Sequence, residues 1–483
     1  MMDHVLGIDL GTSGVKAGLL NLATMHLEYL AVRSYADDAE QDPEFLWENT
    51  CDAIREVVSF SGVKGSIQAV GLSGQMHGVV LFDQEERLIS PIINWKDVKW
   101  SSPSILDKIK QVMGNRTYAE LGAEIASGYS GVILYGIKEK DSTLFERIAH
   151  FVLPVDYLRG RLLGKPDFAT DPTNAFGTGL FNALYNRWHR ELISKLSLPF
   201  NIFPVVHPTQ QQAGVISDDV ADQLGLSRGV PINYGGGDNQ MSMLGSGLAD
   251  SDSTILINIG TAAQVSKVSS YFQKYPGMDT RSYFQGAYAI VGASLGGGGS
   301  YSSLRTRLLE EGLQLGYSRM DELASTVPPG AGGLVYCSGP SRQDPARRQG
   351  FFGNNDLVKS IPHQARAVLE GVLMDLYDSY HILEESRQDD YVIGGGNGMQ
   401  NSRIWSQITA DLFGKPVRIT EFENAVYGAA ITAGLLTGRY KTLEEPVQSI
   451  KYSIEVIPDE TSRIFYRDVF VDYWKKTINS AGS

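Results

Sequence analysis

At 483 residues the chain is longer than one hydrophobic core ordinarily sustains, so two domains of about 240 residues are expected. Its 42% hydrophobic and 20% charged residues describe ordinary globular material, and a net charge of −13 argues against nucleic acid or an anionic membrane as the main partner. Cys51 and Cys337 offer neither a metal-binding spacing nor a disulfide framework, and read as buried apolar residues of a reducing compartment.

The start, Met1-Met2-Asp3-His4, runs straight into an apolar stretch, without the basic region and long apolar core of a targeting segment. No run approaches the ~20 apolar residues of a membrane-spanning helix. A cytoplasmic location is therefore expected.

Val5 to Leu10 is an apolar strand carrying one carboxylate, Asp9, near its end; Gly11-Thr12-Ser13-Gly14 is a turn and Val15 to Leu20 the return strand of a hairpin. Leu27 to Val32 reads as a third strand. Asp42-Pro43 starts a helix, Asp as N-cap and Pro at the first helical position, running through Trp47, Ile54 and Val57. Ile67 to Leu72 is a buried strand ending in Ser73-Gly74-Gln75-Met76-His77-Gly78. Val230 to Tyr234 is a short apolar stretch before Gly235-Gly236-Gly237-Asp238-Asn239.

The same order returns in the second half. Thr254 to Ile259 is a strand entering the Gly260-Thr261 turn, with Ala263 to Val268 as its partner. A long amphipathic helix spans His363 to Glu385, Tyr391 to Ile393 is a strand opening into Gly394-Gly395-Gly396-Asn397-Gly398, and a helix covers Ser402 to Leu412. Strand Val417 to Thr420 and a small-residue helix from Ala425 to Leu436 follow. Three strands, a helix and a further strand form a ribonuclease H-like unit, so the pattern predicts an α/β protein of two such units with a catalytic cleft between them. The boundary is expected within 246–252, dividing the chain into 1–248 and 249–483.

A hairpin tip of small residues can aim several N–H groups at one phosphate. Asp9 precedes the first tip, where a carboxylate can organise Mg²⁺ through its water shell; the second hairpin has Asn258 at the matching place. Lys16 reads as a solvated strand residue within possible reach of phosphate. The glycines at 235–237 allow close backbone approach and put Asp238 in position to accept a hydroxyl proton during phosphoryl transfer, and to face the metal. The glycine-rich junction at 394–398 suits a nucleotide lying on bare backbone. It lacks the dinucleotide fingerprint, and the P-loop Gly-Lys-Ser/Thr pattern is absent from the chain.

Ile8-Asp9-Leu10-Gly11-Thr12-Ser13, Ser73 to Gly78, Trp95-Lys96-Asp97, Gly236-Gly237-Asp238-Asn239, Ile259-Gly260-Thr261 and Gly394-Gly395-Gly396 together resemble the FGGY carbohydrate kinases, in that family's order and spacing over essentially the whole chain. Asp42-Pro43 with Trp47, and Asp171 with Asn174 to Gly177, are similar as well. The resemblance implies an actin-like ATPase fold of two ribonuclease H-like domains, ATP with Mg²⁺, and transfer of the γ-phosphate to a primary hydroxyl of a sugar or polyol. It maps the base onto Asp238, phosphate contacts onto Gly11, Thr12, Ser13, Gly260 and Thr261, and nucleotide contacts onto Gly395, Gly396 and Asn397. Gln75, Met76 and His77 resemble the corresponding stretch of xylulokinases and sedoheptulokinases, which makes them acceptor contacts together with Asp97, Asp238 and Asn239.

Three segments depart from the family, the first by Lys96 within Trp95-Lys96-Asp97, where Asn or Gln is usual. Val132-Ile133-Leu134-Tyr135 stands where many members carry Lys-x-x-Trp, and Ser338 to Pro345 replaces Gly-Glu-Arg-x-Pro. Sedoheptulose and D-xylulose are the leading expectations for the acceptor, with ribulose, gluconate and glycerol behind them. A homodimer is compatible with the sequence. The competing readings are an actin- or chaperone-like ATPase, against which Gln-Met-His-Gly combined with Gly-Gly-Asp-Asn argues, and an inactive sugar-binding regulator, against which the intact Asp9, Thr12 and Asp238 argue.

Overall fold

The computed structural model describes the chain except for residues 1–3, 37, 39, 61–64, 251–253, 295, 342, 343, 345, 385–389, 421, 482 and 483. Two seven-stranded mixed sheets carry the architecture. The first opens with the hairpin β1 (His4–Leu10) and β2 (Gly14–Asn21), then β3 (His26–Ser34), α1 (Pro43–Ser59) and β4 (Ile67–Gly74). Asp42 caps α1 as its sequence predicts, its carboxylate accepting from the Glu44 and Phe45 N–H groups, a cap worth about 1 kcal/mol. After a largely helical excursion that includes α2 (Pro154–Leu163) and α3 (Pro172–Gly177), β5 (Gln212–Val215), β6 (Pro231–Asn233) and β7 (Gly236–Gly237) return to this sheet. Its order is β5–β6–β4–β1–β2–β3, with β7 beside β4. β1 is buried along its whole length, which explains its near-continuous apolar run: a central strand covered on both faces has no solvent side to mark with polar residues.

The chain leaves the first sheet through α4 (Asp238–Ser246). The second sheet then repeats the plan with β8 (Leu256–Ile259), β9 (Ala263–Ser269), β10 (Met278–Ser282) and β11 (Tyr288–Ser294), followed by α5 (Gly298–Glu310) and α6 (Ile361–Glu384). β12 (Val392–Gly395), α7 (Gly396–Asn401), α8 (Arg403–Phe413), β13 (Val417–Ile419), α9 (Asn424–Leu436) and β14 (Ile454–Val456) complete it, in the order β10–β11–β9–β8–β12–β13–β14. In each sheet the opening strand pairs antiparallel with its hairpin partner and parallel with the strand after the long helix. The repeat expected from the sequence is thus present in pairing as well as in order. β10 lies beyond the shared order, with no counterpart outside β3.

Glu385, the expected end of α6, and residues 251–253 of the expected boundary lie outside the described residues. Among the described residues no helix is long and apolar enough to cross a membrane. Cys51 and Cys337 are both free and buried, as expected. Val132, Ile133 and Leu134 are buried in the helix Ser130–Lys140, inside a separate core built by the excursion.

The two halves meet through α4 and α9. α9 lies on the first sheet: a Cβ on Gly7 of β1 would stand 2.2 Å from the Val426 carbonyl oxygen, and one on Gly71 of β4 would stand 1.9 Å from that of Ala429. α4 crosses α9 at a second pair of glycines, Gly245 against Asn424 and Gly428 against Met241. Leu244 and Leu248 then share a core with Leu256 and Ile393 of the second sheet and with Val5 and Leu20 of the first. Asn233 of β6 also donates to the Thr432 hydroxyl at 2.8 Å.

Candidate active site

The turn before α4 is held from behind by buried groups. Arg159 of α2, fully buried, donates to the Tyr234 carbonyl and to Asp156, each at 2.7 Å, and also to Asp167 and the Ala169 carbonyl. Its guanidinium stacks on Tyr234, 5.1 Å from the ring centre. Asp171 caps α3, accepting from the N–H groups of Thr173 and Asn174, and it receives the hydroxyls of Thr173 and Thr209 as well. The Thr173 oxygen in turn accepts from the Gly237 N–H at 2.8 Å. Gly235, at φ +79°, supplies the left-handed step that lets the chain turn here. The Asp171 and Asn174 similarity noted in the sequence thus has a physical role, because it fixes the residue before Asp238.

Asp238 is half-buried at the first position of α4, accepting from its neighbour Asn239 N–H at 2.7 Å and from the Met76 N–H. Burial, and then the Asp9 carboxylate, push its pKa up to about 7 against these N–H groups and the Arg281 charge. Asp9, buried, accepts from the Ser73 hydroxyl at 2.6 Å, and burial raises its pKa despite Lys16 and Ser73. Lys16 is not simply solvated. Its ammonium pairs with Glu423 at 3.0 Å, and the carboxylates of Glu423, Asp9 and Asp238 outweigh its desolvation and keep it charged. Two carboxylates that disfavour each other's charge, beside a lysine, suit a divalent cation and phosphate oxygens.

The first hairpin tip is fixed by side chains from three segments. Thr12 donates its hydroxyl to Gln75 at 3.1 Å and receives the Trp95 indole N–H at 2.9 Å; Gln41 donates to the Thr12 carbonyl at 2.7 Å and accepts from Gln75 at 2.9 Å. Tyr35 donates to the Gly11 carbonyl at 2.7 Å. Gln75, expected at the acceptor, is therefore buried with both ends of its amide engaged by the hairpin support. Asp97 is likewise buried and caps its own turn, accepting from the Trp100 N–H at 2.7 Å.

Met76 and His77 do reach the Asp238 turn. Met76 packs where a Cβ on Gly237 would stand 2.7 Å from its Cγ. His77 adopts φ +69°, uncommon for a residue with a side chain, stacks on Tyr129 with ring centres 4.1 Å apart, and donates from Nδ1 to the Gly177 carbonyl. Burial lowers its pKa to about 4, so near pH 7 the ring is neutral and Nε2 is a hydrogen-bond acceptor. Asn239 donates to Gln264 of β9 and accepts from Arg281 of β10, each at 2.9 Å. The start of α4 is thereby tied to the second half.

The second hairpin rests on α5. The N–H groups of Gly298 and Gly299 donate to the carbonyls of Gly260 and Thr261 at 2.7 and 2.9 Å. A Cβ on Gly297 would stand 2.7 Å from the Thr261 carbonyl, so the glycine run at 296–299 lets this helix start meet the hairpin. The run was visible in the sequence and its role was not. Gly395, Gly396 and Gly398 press on the same hairpin strand: a Cβ on Gly396, at φ +79°, would stand 2.6 Å from the Ile259 carbonyl. Their smallness is thus needed for packing, while the Asn397 side chain is exposed. Arg281, Gln264 and Tyr129 had no motif to announce them, and the Trp95 of Trp95-Lys96-Asp97 was not expected to hold the hairpin; only the fold brings them together.

Residues 4–245 match the N-terminal domain of the FGGY family of carbohydrate kinases, and residues 317–436 match its C-terminal domain. The xylulose kinase of Staphylococcus xylosus is 28% identical over 495 residues, covering 99% of this chain and 100% of that protein. Crystal structures of a gluconate kinase and of a ligand-bound xylulose kinase, both from Lactobacillus acidophilus, each superpose with a TM-score of 0.87 at 21% identity, covering 100% of this chain and 99% of theirs. These likenesses share the two-domain actin-like ATPase fold. With both domain matches in family order on one chain, this protein belongs to the FGGY family of carbohydrate kinases.

Proposed function

We propose that this sugar kinase transfers the γ-phosphate of ATP to a primary hydroxyl of an uncharged ketose, D-xylulose first and sedoheptulose second. The observation that carries the reading is Asp238: a carboxylate raised to about 7 at the start of α4, bonded to the backbone of Met76 and followed by a neutral His77. A hydroxyl proton passes to Asp238 as the oxygen attacks phosphorus, while His77 Nε2 accepts from a second hydroxyl and Asn239 and Met76 border the acceptor. Gln75 acts through the hairpin it holds, and Asp97 through its turn. Backbone N–H groups of Gly11–Ser13 and Gly260–Thr261 cradle the phosphates, Lys16 adds positive charge, and the nucleotide lies along Gly395, Gly396 and Asn397.

Asp9, through water, and Asp238 would hold Mg²⁺. Among the described residues no group of three His, Cys, Asp or Glu forms a cage, which suits an ion that keeps waters and takes phosphate oxygens. Bound there, it would neutralise phosphate charge. The relatives named as xylulose kinases are similar over nearly the whole chain, which favours the pentulose over the heptulose. We divide the chain functionally at 248/249, with acceptor and base in the first part and the opposing hairpin and nucleotide turn in the second.

ADP release measured over D-xylulose, D-ribulose, L-ribulose, sedoheptulose, glycerol and gluconate tests this reading. We expect ketose-dependent turnover, highest with D-xylulose. Equal ATP turnover with and without every sugar would return the protein to the ATPase reading.

A further inference from the structure

Arg281 has no part in the chemistry above, yet it stands at its edge. It projects from β10 and reaches across to the first half, Nη1 donating to Asn239 Oδ1 at 2.9 Å beside Asp238. Its charge is felt at both His77 and Asp238. Nε and Nη2 donate to one oxygen of Asp279 at 3.3 and 2.9 Å. A guanidinium carries five N–H groups, so about two remain on a side chain that is 15% exposed. Asp279 itself is 1% exposed.

The Nε and Nη2 edge of a guanidinium is the edge that binds a carboxylate in the forked geometry. Here an internal carboxylate already fills it and cancels the charge. We propose that Arg281 and Asp279 together set acceptor specificity: Arg281 lends its remaining N–H donors to oxygens of the sugar, and Asp279 denies its charged edge to any substrate carboxylate. The pocket then takes uncharged ketoses and discriminates against aldonates. This inference rests on the ketose reading of the same site.

The test is kcat/KM for D-xylulose and for D-gluconate in the wild type, in Asp279→Asn and in the double variant Arg281→Met/Asp279→Met. Asp279→Asn removes the charge that offsets the guanidinium and leaves only a weaker, neutral acceptor on its edge, and is expected to raise the gluconate-to-xylulose ratio at least about tenfold, with KM for ATP unmoved. The double variant removes both charges and avoids leaving one buried and unpaired. It is expected to lose about 30-fold in kcat/KM for D-xylulose without gaining gluconate activity. A ketose-active wild type whose ratio is unmoved in folded Asp279→Asn overturns this inference alone. Should Asp279→Asn not fold, unaltered D-xylulose kinetics in the double variant overturn it. A wild type that phosphorylates gluconate and no ketose overturns this inference and the proposed function together.

Discussion

Asp238→Asn is expected to lower kcat by about a thousandfold, within the span that a positioned base contributes, while sugar and ATP still bind. Asn keeps the size of the side chain and its acceptance from the Asn239 N–H, and loses the capacity to take a proton together with the negative charge that would face Mg²⁺. In the wild type kcat/KM should fall as pH drops below about 7, where Asp238 becomes protonated. A bound divalent cation favours the carboxylate and moves that limb to lower pH. Stability has the opposite dependence. The folded pKa of Asp238 stands above its ordinary 3.8, so its charge opposes folding. The penalty is absent below about pH 4, grows up to about 7 and is then constant. The Asn variant should therefore gain in melting temperature over the wild type between pH 5 and pH 8. An unchanged kcat, or a gain that shrinks with rising pH, would contradict the assignment.

Gly428→Ala is expected to destabilise the protein by about 3 kcal/mol without touching any residue of the cleft. The added Cβ would stand 2.0 Å from the Met241 carbonyl oxygen, a backbone atom of α4 that cannot rotate aside. Relief requires α4 and α9 to separate, and Asp238 is the first residue of α4. Loss of kcat should therefore accompany the loss of stability. Urea midpoints followed by circular dichroism, alongside kcat for the folded variant, measure both; a midpoint equal to that of the wild type would refute the close crossing.

Local chemistry made much of this legible. Asp42-Pro43 announces its own helix cap, Gly260-Thr261 its own turn, and the apolar run at 5–10, broken only by Asp9, its central strand. Asp238 was readable because three glycines before one acid leave few bland explanations. Gln75 was different: the motif announced a polar residue near the acceptor, and only the fold reveals that its amide is consumed by Thr12 and Gln41. The glycines at 395–398 look alike as a nucleotide platform or as packing surface, and the decision depends on Ile259, well over a hundred positions away. The excursion between β4 and β5 builds its own helical core from segments whose partners have no fixed spacing in sequence. Arg281, one arginine in a strand, carries no signal until Asn239 lies opposite it.

The exchange of helices between the halves has a consequence for how the chain can be taken apart. α9 is encoded at the far end yet covers β1 and β4, so a fragment ending at 248 would bare the surface around Gly7 and Gly71. A fragment starting at 249 would lack Leu244 of α4 and Leu248 just beyond it, which pack with Leu256 and Ile393. Each half is an obligate template for the other. Expressed singly, the fragments 1–248 and 249–483 should aggregate; expressed together, they should complement one another and recover a share of the kinase activity.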